Sequence, residues 1–219
     1  MRVLALDAAM ARCSAAIVIN RQPIAVRQED AVRGHAALLP VMAEAVLDAS
    51  GVRASALDLV AVTIGPGSFT GIRAGLALAH GIGCAAGIPI VGVTVGEAFA
   101  DSLPHLGDRQ LWSVIDSKRR RVFLERADGV IAVSLDDLPV PSGRIAVAGD
   151  AASVVASTLA ARDADVMLTD ARLPMARHIA VVGEQRFAGQ LPARPALPLY
   201  VDPPEARLPA GGLRPAPQG

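Results

Sequence analysis

The apolar run "DLVAVTIG", residues 58–65, constrains the fold of this chain more than any other segment. Nearly every residue in it is apolar, which is typical of a strand that is covered on both faces. A glycine-rich segment, "GPGSFTGIRAGLALAHG", follows at once and has the length of a helix. A buried strand that runs directly into a helix predicts an α/β fold.

The patterns on either side give the order of the elements. Strands are predicted at "VLALD", "CSAAIVIN" and "PIAVRQED", and a helix over "HAALLPVMAEAVLDASG" that ends at Gly51. With a last strand at "IPIVGVT", the first half reads β-β-β-α-β-α-β. The second half starts near Asp108, with strands at "LWSVID", "RVFLERAD" and "RIAVAGD" and helices over "AASVVASTLAAR" and "PMARHIAVVGEQRFAG".

Charge and cysteine content narrow the class of protein. Basic and acidic residues balance at 21 each, so any contact with nucleic acid or membrane must be a local patch. The two cysteines form neither a disulfide framework nor a zinc pattern, which favours a reducing cytoplasm. The run from Ala74 to Gly96 carries no Asp, Glu, Lys or Arg, but Gly87 and Pro89 interrupt it, so we expect no membrane span.

The inventory of chemical groups gives little support for a catalytic site. The four histidines lack the spacing of metal ligands, so no metal site is predicted. The glycine-rich loop lacks the lysine of a phosphate-binding P-loop, and Gly71 falls one place too late for a dinucleotide fingerprint. A backbone anion site at Gly65 and Gly67, with Asp7 nearby, remains as a weaker interpretation.

Two neighbouring helices have unusual faces. In the glycine-rich helix Gly71, Gly75, Ala79 and Gly83 recur every four residues and form a stripe with almost no side chain. Such a stripe allows close approach either of the chain's own sheet or of a second protein. The preceding helix has an apolar arc far wider than a surface helix needs, with only Glu44 and Asp48 clearly polar, so a helical interface is favoured.

A family resemblance rests on these same segments. "ALD" followed by "CSAAIV", "HAALLP" at residues 35–40, "VAVTIGPGSFTGIRAGLALAHG" and "IPIVGVT" resemble the TsaB family over roughly the first hundred residues. The second half is less similar, with "DSKRRRVF" and "PLYV" as partial matches. The resemblance implies an actin-like ATPase (ASKHA) fold with two RNase H-like lobes, whose mixed sheets are flanked by helices. We divide the chain into lobes at 1–104 and 105–202 and a flexible Pro-rich tail at 203–219.

The resemblance also implies a function. The chain is expected to be a non-catalytic, cytoplasmic subunit of the bacterial complex that makes N6-threonylcarbamoyladenosine in tRNA next to the anticodon. Its implied partners are a TsaD-like synthase, a TsaE-like ATPase, tRNA as the substrate of the complex, and a second copy of itself as a homodimer. No cofactor is expected in the isolated chain, and ATP or ADP with Mg would bind only within the complex.

Candidate residues follow from the two helices and from the charged turn. Those predicted for the partner interface are Leu38, Val41, Met42, Ala45, Val46, Ser68, Phe69, Thr70, Gly71, Arg73, Gly75, Leu76 and Ala79. The residues of the weaker anion or nucleotide site are Asp7, Gly65 and Gly67. Those considered for tRNA phosphates are Lys118, Arg119, Arg120 and Arg121, although a solvated hairpin tip is the favoured interpretation, because runs of charge at turns usually serve solubility.

An alternative of a different class is an independent enzyme of the same fold, either a small-molecule kinase or an M22-like peptidase. A kinase needs a phosphate-binding turn after Asp7, where the TsaB family commonly has hydroxyl residues. This chain has Ala8 and Ala9 there, and neither side chain can bind phosphate. A plain homodimeric scaffold is a third interpretation.

Overall fold

The computed structural model describes residues 1–117 and 121–201. The described residues form two mixed five-stranded sheets with helices packed on them. The strands are β1 (Arg2–Met10), β2 (Arg12–Ile19), β3 (Gln22–Asp30), β4 (Leu59–Gly65), β5 (Ile90–Thr94), β6 (Gln110–Asp116), β7 (Arg121–Arg126), β8 (Gly129–Ser134), β9 (Ile145–Ala148) and β10 (Val166–Leu168). The helices are α1 (His35–Ser50), α2 (Phe69–Ala86), α3 (Val95–Ser102), α4 (Ala152–Ala160) and α5 (Ala176–Phe187).

Both sheets combine antiparallel and parallel pairing. The first has the order β3-β2-β1-β4-β5, antiparallel among β1, β2 and β3 and parallel from β1 through β4 to β5. The second has the order β10-β9-β6-β7-β8, antiparallel on the β7 and β8 side and parallel on the β9 and β10 side. All seven residues of β4 are buried, which confirms that this strand is covered on both faces.

The helices cover the first sheet on both faces. Leu4 and Leu6 of β1 share a core with residues of α1 and α2, whereas Val3 and Ala5 share one with residues of α3 and α5. Since alternate side chains of a strand point to opposite faces, α1 and α2 lie on one face and α5 on the other. Helix α5 belongs to the range predicted for the second lobe, so that range contributes a helix to the first sheet.

Three of these strands and α-helices were absent from the sequence prediction. They are α3, β8 and β10. Helix α3 starts with a capping box, in which the Thr94 side chain accepts from the Glu97 backbone N–H and the Glu97 side chain accepts from the Thr94 N–H. The four letters "TVGE" carry this signature, but Gly96 in the first turn and the short length weaken the helical pattern.

A buried carboxylate joins the two sheets. Glu125 of β7 accepts a hydrogen bond from the Gly96 backbone N–H at 2.7 Å and another from the Thr94 hydroxyl, at the N-terminus of α3. A Cβ on Gly96 would lie 2.4 Å from the Glu125 carboxyl carbon, so a larger residue at position 96 would displace the carboxylate. Burial raises the pKa of Glu125 to about 7, although both hydrogen bonds oppose the rise.

No helix in the described ranges is long and apolar enough to cross a bilayer. The uncharged run from Ala74 to Gly96 is shared mainly between α2 and β5. Gly87 ends α2 in a left-handed conformation with φ 67°. The interruption predicted from Gly87 and Pro89 is therefore present.

Candidate functional site

Helices α1 and α2 pack side by side and leave a largely apolar surface turned away from the sheet. We call this surface the outer face. Its residues are Ala37, Pro40, Val41, Glu44, Leu47 and Asp48 of α1 and Ala74, Ala77, Leu78, Gly81, Ile82 and Ala85 of α2. Val41 is 64% exposed, which is unusual for a β-branched apolar side chain in the middle of a helix. The outer face is therefore apolar surface that a second molecule could cover.

A groove runs between the two helices. Its volume is about 600 Å³, and its apolar walls come from Leu47 of α1 and from Leu78 and Ile82 of α2. The charged residues at its edge are Glu44, Asp48 and Arg53. This end of the outer face is consequently acidic on the side of α1, whereas the single Asp, Glu, Lys or Arg residue of α2, Arg73, lies toward its N-terminus, before both Leu78 and Ile82.

The glycine stripe faces inward, which corrects its assignment to the partner interface. A Cβ on Gly71 would lie 1.9 Å from the carbonyl oxygen of Ala8, and a Cβ on Gly83 would lie 2.5 Å from the Ile90 side chain. Gly75 packs on Val62 and Leu39 at ordinary contact distance. The stripe thus brings α2 close to its own sheet and to α1.

Further predicted interface residues are buried in the free chain. They are Met42, Val46, Leu76 and Ala79, which belong to the core beneath α1 and α2. The wide apolar arc of α1 has two parts, one on the sheet and one exposed. Leu38, Ala45 and Ser68 are half-buried, while Val41, Phe69, Thr70 and Arg73 are exposed and remain accessible.

Sequence reasoning missed a second set of small residues on α2. Ala77, Gly81 and Ala85 are exposed and Ala74 is half-buried, all on the side opposite the glycine stripe or beside it, and a Cβ on Gly81 would meet nothing within 4 Å. The signal was present, because the segment from Ala74 to Gly96 contains no Asp, Glu, Lys or Arg. That absence of charge marks an apolar surface on a helix that does not combine the length and the hydropathy of a membrane span.

The "GPGS" loop packs against the end of β1. The Ser68 N–H donates to the Ala9 carbonyl at 2.7 Å, and the Ser68 hydroxyl caps α2 by accepting from the Gly71 N–H at 3.2 Å. Gly67 has φ 154°, and a Cβ there would lie 2.1 Å from the Ala9 carbonyl oxygen. The glycine at this position therefore permits contact between the loop and β1.

Asp7 is inside the protein, which corrects its assignment to an accessible anion or nucleotide site. It is fully buried and accepts from the Thr63 hydroxyl at 2.6 Å and from the Ala9 N–H at 3.0 Å. Burial raises the pKa of Asp7 to about 6, against the effect of these hydrogen bonds. Gly65 is likewise buried beneath Ile72, so these groups do not form an open cradle.

The C-terminal end of the described chain crosses the side of α2. We call residues 192–200 the strap. The Leu199 N–H donates to the Ile64 carbonyl at 2.9 Å, and His80 of α2 contacts the Ala196 carbonyl through Nε2 at 2.9 Å. The strap ends at Tyr200, whose hydroxyl accepts from Arg73 at 2.8 Å.

The predicted tRNA contacts are mostly outside the described residues. Lys118, Arg119 and Arg120 fall there, as does the predicted flexible tail at 203–219. Arg121 begins β7, and its guanidinium donates to the Ala132 carbonyl of β8 at 2.8 Å. In the described ranges no group of three or more His, Cys, Asp or Glu residues is arranged to hold a metal ion.

Comparisons with known proteins agree with the predicted family. The family model of TsaD, tRNA N6-adenosine threonylcarbamoyltransferase, matches residues 18–167. An uncharacterized protein of Mycobacterium tuberculosis is 38% identical over 135 residues, which cover 60% of this chain and 62% of the relative. The tRNA threonylcarbamoyladenosine biosynthesis protein TsaB of Escherichia coli is 35% identical over 124 residues, 56% of this chain and 53% of the relative. The matched region thus spans somewhat more than half of each relative.

Solved structures confirm the predicted ASKHA fold. A Pseudomonas aeruginosa protein described as similar to the peptidase YeaZ superimposes with a TM-score of 0.77 at 24% identity, covering 92% of this chain and 99% of that one. YeaZ from the same organism gives a TM-score of 0.75 at 24% identity, covering 91% and 99%. Component A of the Acidaminococcus fermentans (R)-2-hydroxyglutaryl-CoA dehydratase gives 0.52 at 8% identity, covering 86% and 99%.

Proposed function

The chain belongs to the TsaB/YeaZ family, and from that membership we propose that it is a subunit of the complex that makes N6-threonylcarbamoyladenosine in tRNA. In this role it binds and supports a TsaD-type synthase and does not perform the transfer itself. Its relatives in Escherichia coli and Haemophilus influenzae carry the name of a threonylcarbamoyladenosine biosynthesis protein. The complex would work on tRNA in the cytoplasm.

The observation that carries this proposal is the apolar outer face. Exposing Val41 and the uncharged side of α2 to water is unfavourable, because each Å² of apolar surface left in water costs about 25 cal/mol relative to burial. A partner that covers this face recovers that free energy. Residues 74–86 of α2 carry no Asp, Glu, Lys or Arg, in agreement with the depletion of charged residues at the centre of protein interfaces.

The nature of the partner is supported by the family model. The model that matches this chain is that of the synthase itself, and the matched residues 18–167 include both α1 and α2. A synthase with an equivalent helix pair could meet the outer face in a pseudo-symmetric arrangement, as related subunits do. A second copy of this chain would use the same surface, so homodimer and heterodimer would compete. A TsaE-like ATPase and tRNA would join that assembly.

The alternative of an independent kinase has less support. Phosphoryl transfer to a small molecule requires acidic and hydrogen-bonding groups that reach the nucleotide and its metal ion. Asp7 is enclosed, and the alanines at positions 8 and 9 are buried against the "GPGS" loop. No geometry among the described residues favours the peptidase alternative over partner binding.

A mixing experiment tests the proposal. The purified chain and its cognate TsaD-type protein should form a complex in size-exclusion chromatography with light scattering. Val41→Asp should weaken that complex by at least about tenfold, because it places a charge in the middle of the outer face.

The matched control is Val140→Asp, which makes the same change at a valine that is 84% exposed in the second half of the chain. This variant should bind as the wild type does. Absence of a complex between the two folded wild-type proteins would contradict the proposal. Equal binding by both variants would place the interface elsewhere.

A further inference from the structure

The strap is fixed to the first sheet and to α2 along its length. Arg186 of α5 donates to the Pro192 carbonyl at 2.8 Å, and the Gly92 N–H of β5 donates to the Arg194 carbonyl at 3.1 Å. A Cβ on Gly92 would lie 2.5 Å from the Pro195 carbonyl oxygen, so the two backbones are in close contact. Together with the bonds at Ala196 and Leu199, these contacts hold the strap in one position.

The strap places the aromatic side chain of Tyr200 next to the N-terminal end of α2. Tyr200 lies beside Phe69, with 6.3 Å between the ring centroids, and its hydroxyl holds the Arg73 guanidinium. That guanidinium lies 3.7 Å from the centroid of the Phe69 ring. We call these three residues the aromatic cluster.

The aromatic cluster is exposed although its parts hold one another in place. Phe69 is 58% exposed and Tyr200 is 55% exposed, in a chain with only four Phe, one Tyr and one Trp. Tyrosine, arginine and other large side chains dominate the binding energy of protein interfaces, and side chains that are already fixed lose less entropy on binding. This arrangement has the composition and the rigidity of an interface anchor.

The aromatic cluster continues the outer face. Arg73 precedes Ala74 and Ala77 on α2, so no gap separates the cluster from the apolar surface. Arg73 makes this end of the outer face basic, whereas the groove near the C-terminal end of α1 carries two acidic residues, Glu44 and Asp48, and one basic residue, Arg53. A helix pair with the same distribution of charge, lying antiparallel to this one, would be complementary to it. The synthase is the occupant that the proposed function gives for this surface, since its family model matches residues that include both helices.

We propose that the strap is part of the partner-binding surface and that Tyr200 is its anchor, positioning Arg73 against the synthase subunit. This inference rests on the proposed function, because it concerns the same surface and the same partner. It assigns a binding role to residues that are 127 positions apart in the chain.

The test measures the affinity of the purified full chain for its cognate synthase by biolayer interferometry. Tyr200→Ala should weaken binding by about tenfold or more. Tyr200→Phe keeps the ring but loses the hydroxyl that holds Arg73, so a loss of about threefold is expected. The control is Phe187→Ala, since Phe187 is 51% exposed at the end of α5 and belongs neither to the strap nor to the outer face. It should change affinity by less than about twofold.

A double variant distinguishes positioning from a general loss of structure. Arg73→Met with Tyr200→Phe should bind no more weakly than Arg73→Met alone, because the hydroxyl acts through the guanidinium. Thermal unfolding of each variant checks that the fold is intact. If the wild type binds and Tyr200→Ala binds equally well, the inference is wrong while the proposed function stands. If the wild type does not bind, the proposed function itself fails.

Discussion

At the scale of single residues, two buried carboxyl groups have raised pKa values. Burial raises the pKa of Asp7 to about 6 and that of Glu125 to about 7, while unfolded side chains of these types titrate near 4. The folded protein therefore binds these two protons more tightly than the unfolded chain does. Their stabilising contribution is complete below about pH 4 and is lost as the pH rises through 6 to 7.

This linkage predicts that Glu125→Gln flattens the pH dependence of stability. The wild type should lose roughly 1 to 3 kcal/mol of unfolding free energy between pH 5 and pH 8 through this one group. Glutamine carries no charge and can still accept from the Gly96 N–H, so the variant should lack that loss. Urea unfolding at several pH values measures the difference. Parallel profiles for the two proteins would show that Glu125 does not titrate in this range.

At the scale of one helix, α2 carries two kinds of glycine. Gly71 faces the Ala8 carbonyl with no room for a Cβ, whereas Gly81 faces open space. Gly71→Ala should destabilise the chain by roughly 2 to 4 kcal/mol, because the backbone of β1 must move. Gly81→Ala should stabilise it by about 0.5 to 1 kcal/mol through helix propensity alone. Chemical unfolding of both variants checks the contrast, and equal effects would contradict the orientation of α2.

The same helix illustrates what the sequence alone could and could not predict. Its position after a buried strand and its end at Gly87 follow from local patterns. Which small residues face the sheet does not follow, because the inner stripe with Gly71 and the outer stripe with Gly81 look alike by size. The contact between Tyr200 and Arg73 is equally invisible, since it depends on the path of the strap across the fold. The capping box of α3, in contrast, can be predicted from the sequence alone, because its Thr94 and Glu97 have the required spacing.

At the scale of the whole molecule, the two cysteines differ in their accessibility to reagents, since one is on the surface and the other is in the interior. Cys84 is exposed on α2, one turn beyond Gly81 and next to Ala85, whereas Cys13 is buried in the core with its pKa raised by burial to about 11. A maleimide reagent should therefore label the free, folded protein once, at Cys84. The synthase partner should slow that labelling by about tenfold or more if it covers the outer face. Mass spectrometry of the labelled peptide provides the measurement, and unaltered labelling in a verified complex would argue for a different interface.

The exposed outer face also has a consequence for the amount of this protein that a cell can tolerate. Copies made in excess of their partner would keep the apolar outer face exposed to water, which favours self-association and recognition by chaperones and proteases. Synthesis of the two subunits in equal amounts would limit the number of unpartnered copies. Overproduction of this chain alone should therefore shorten its lifetime, and co-production with the synthase should restore it.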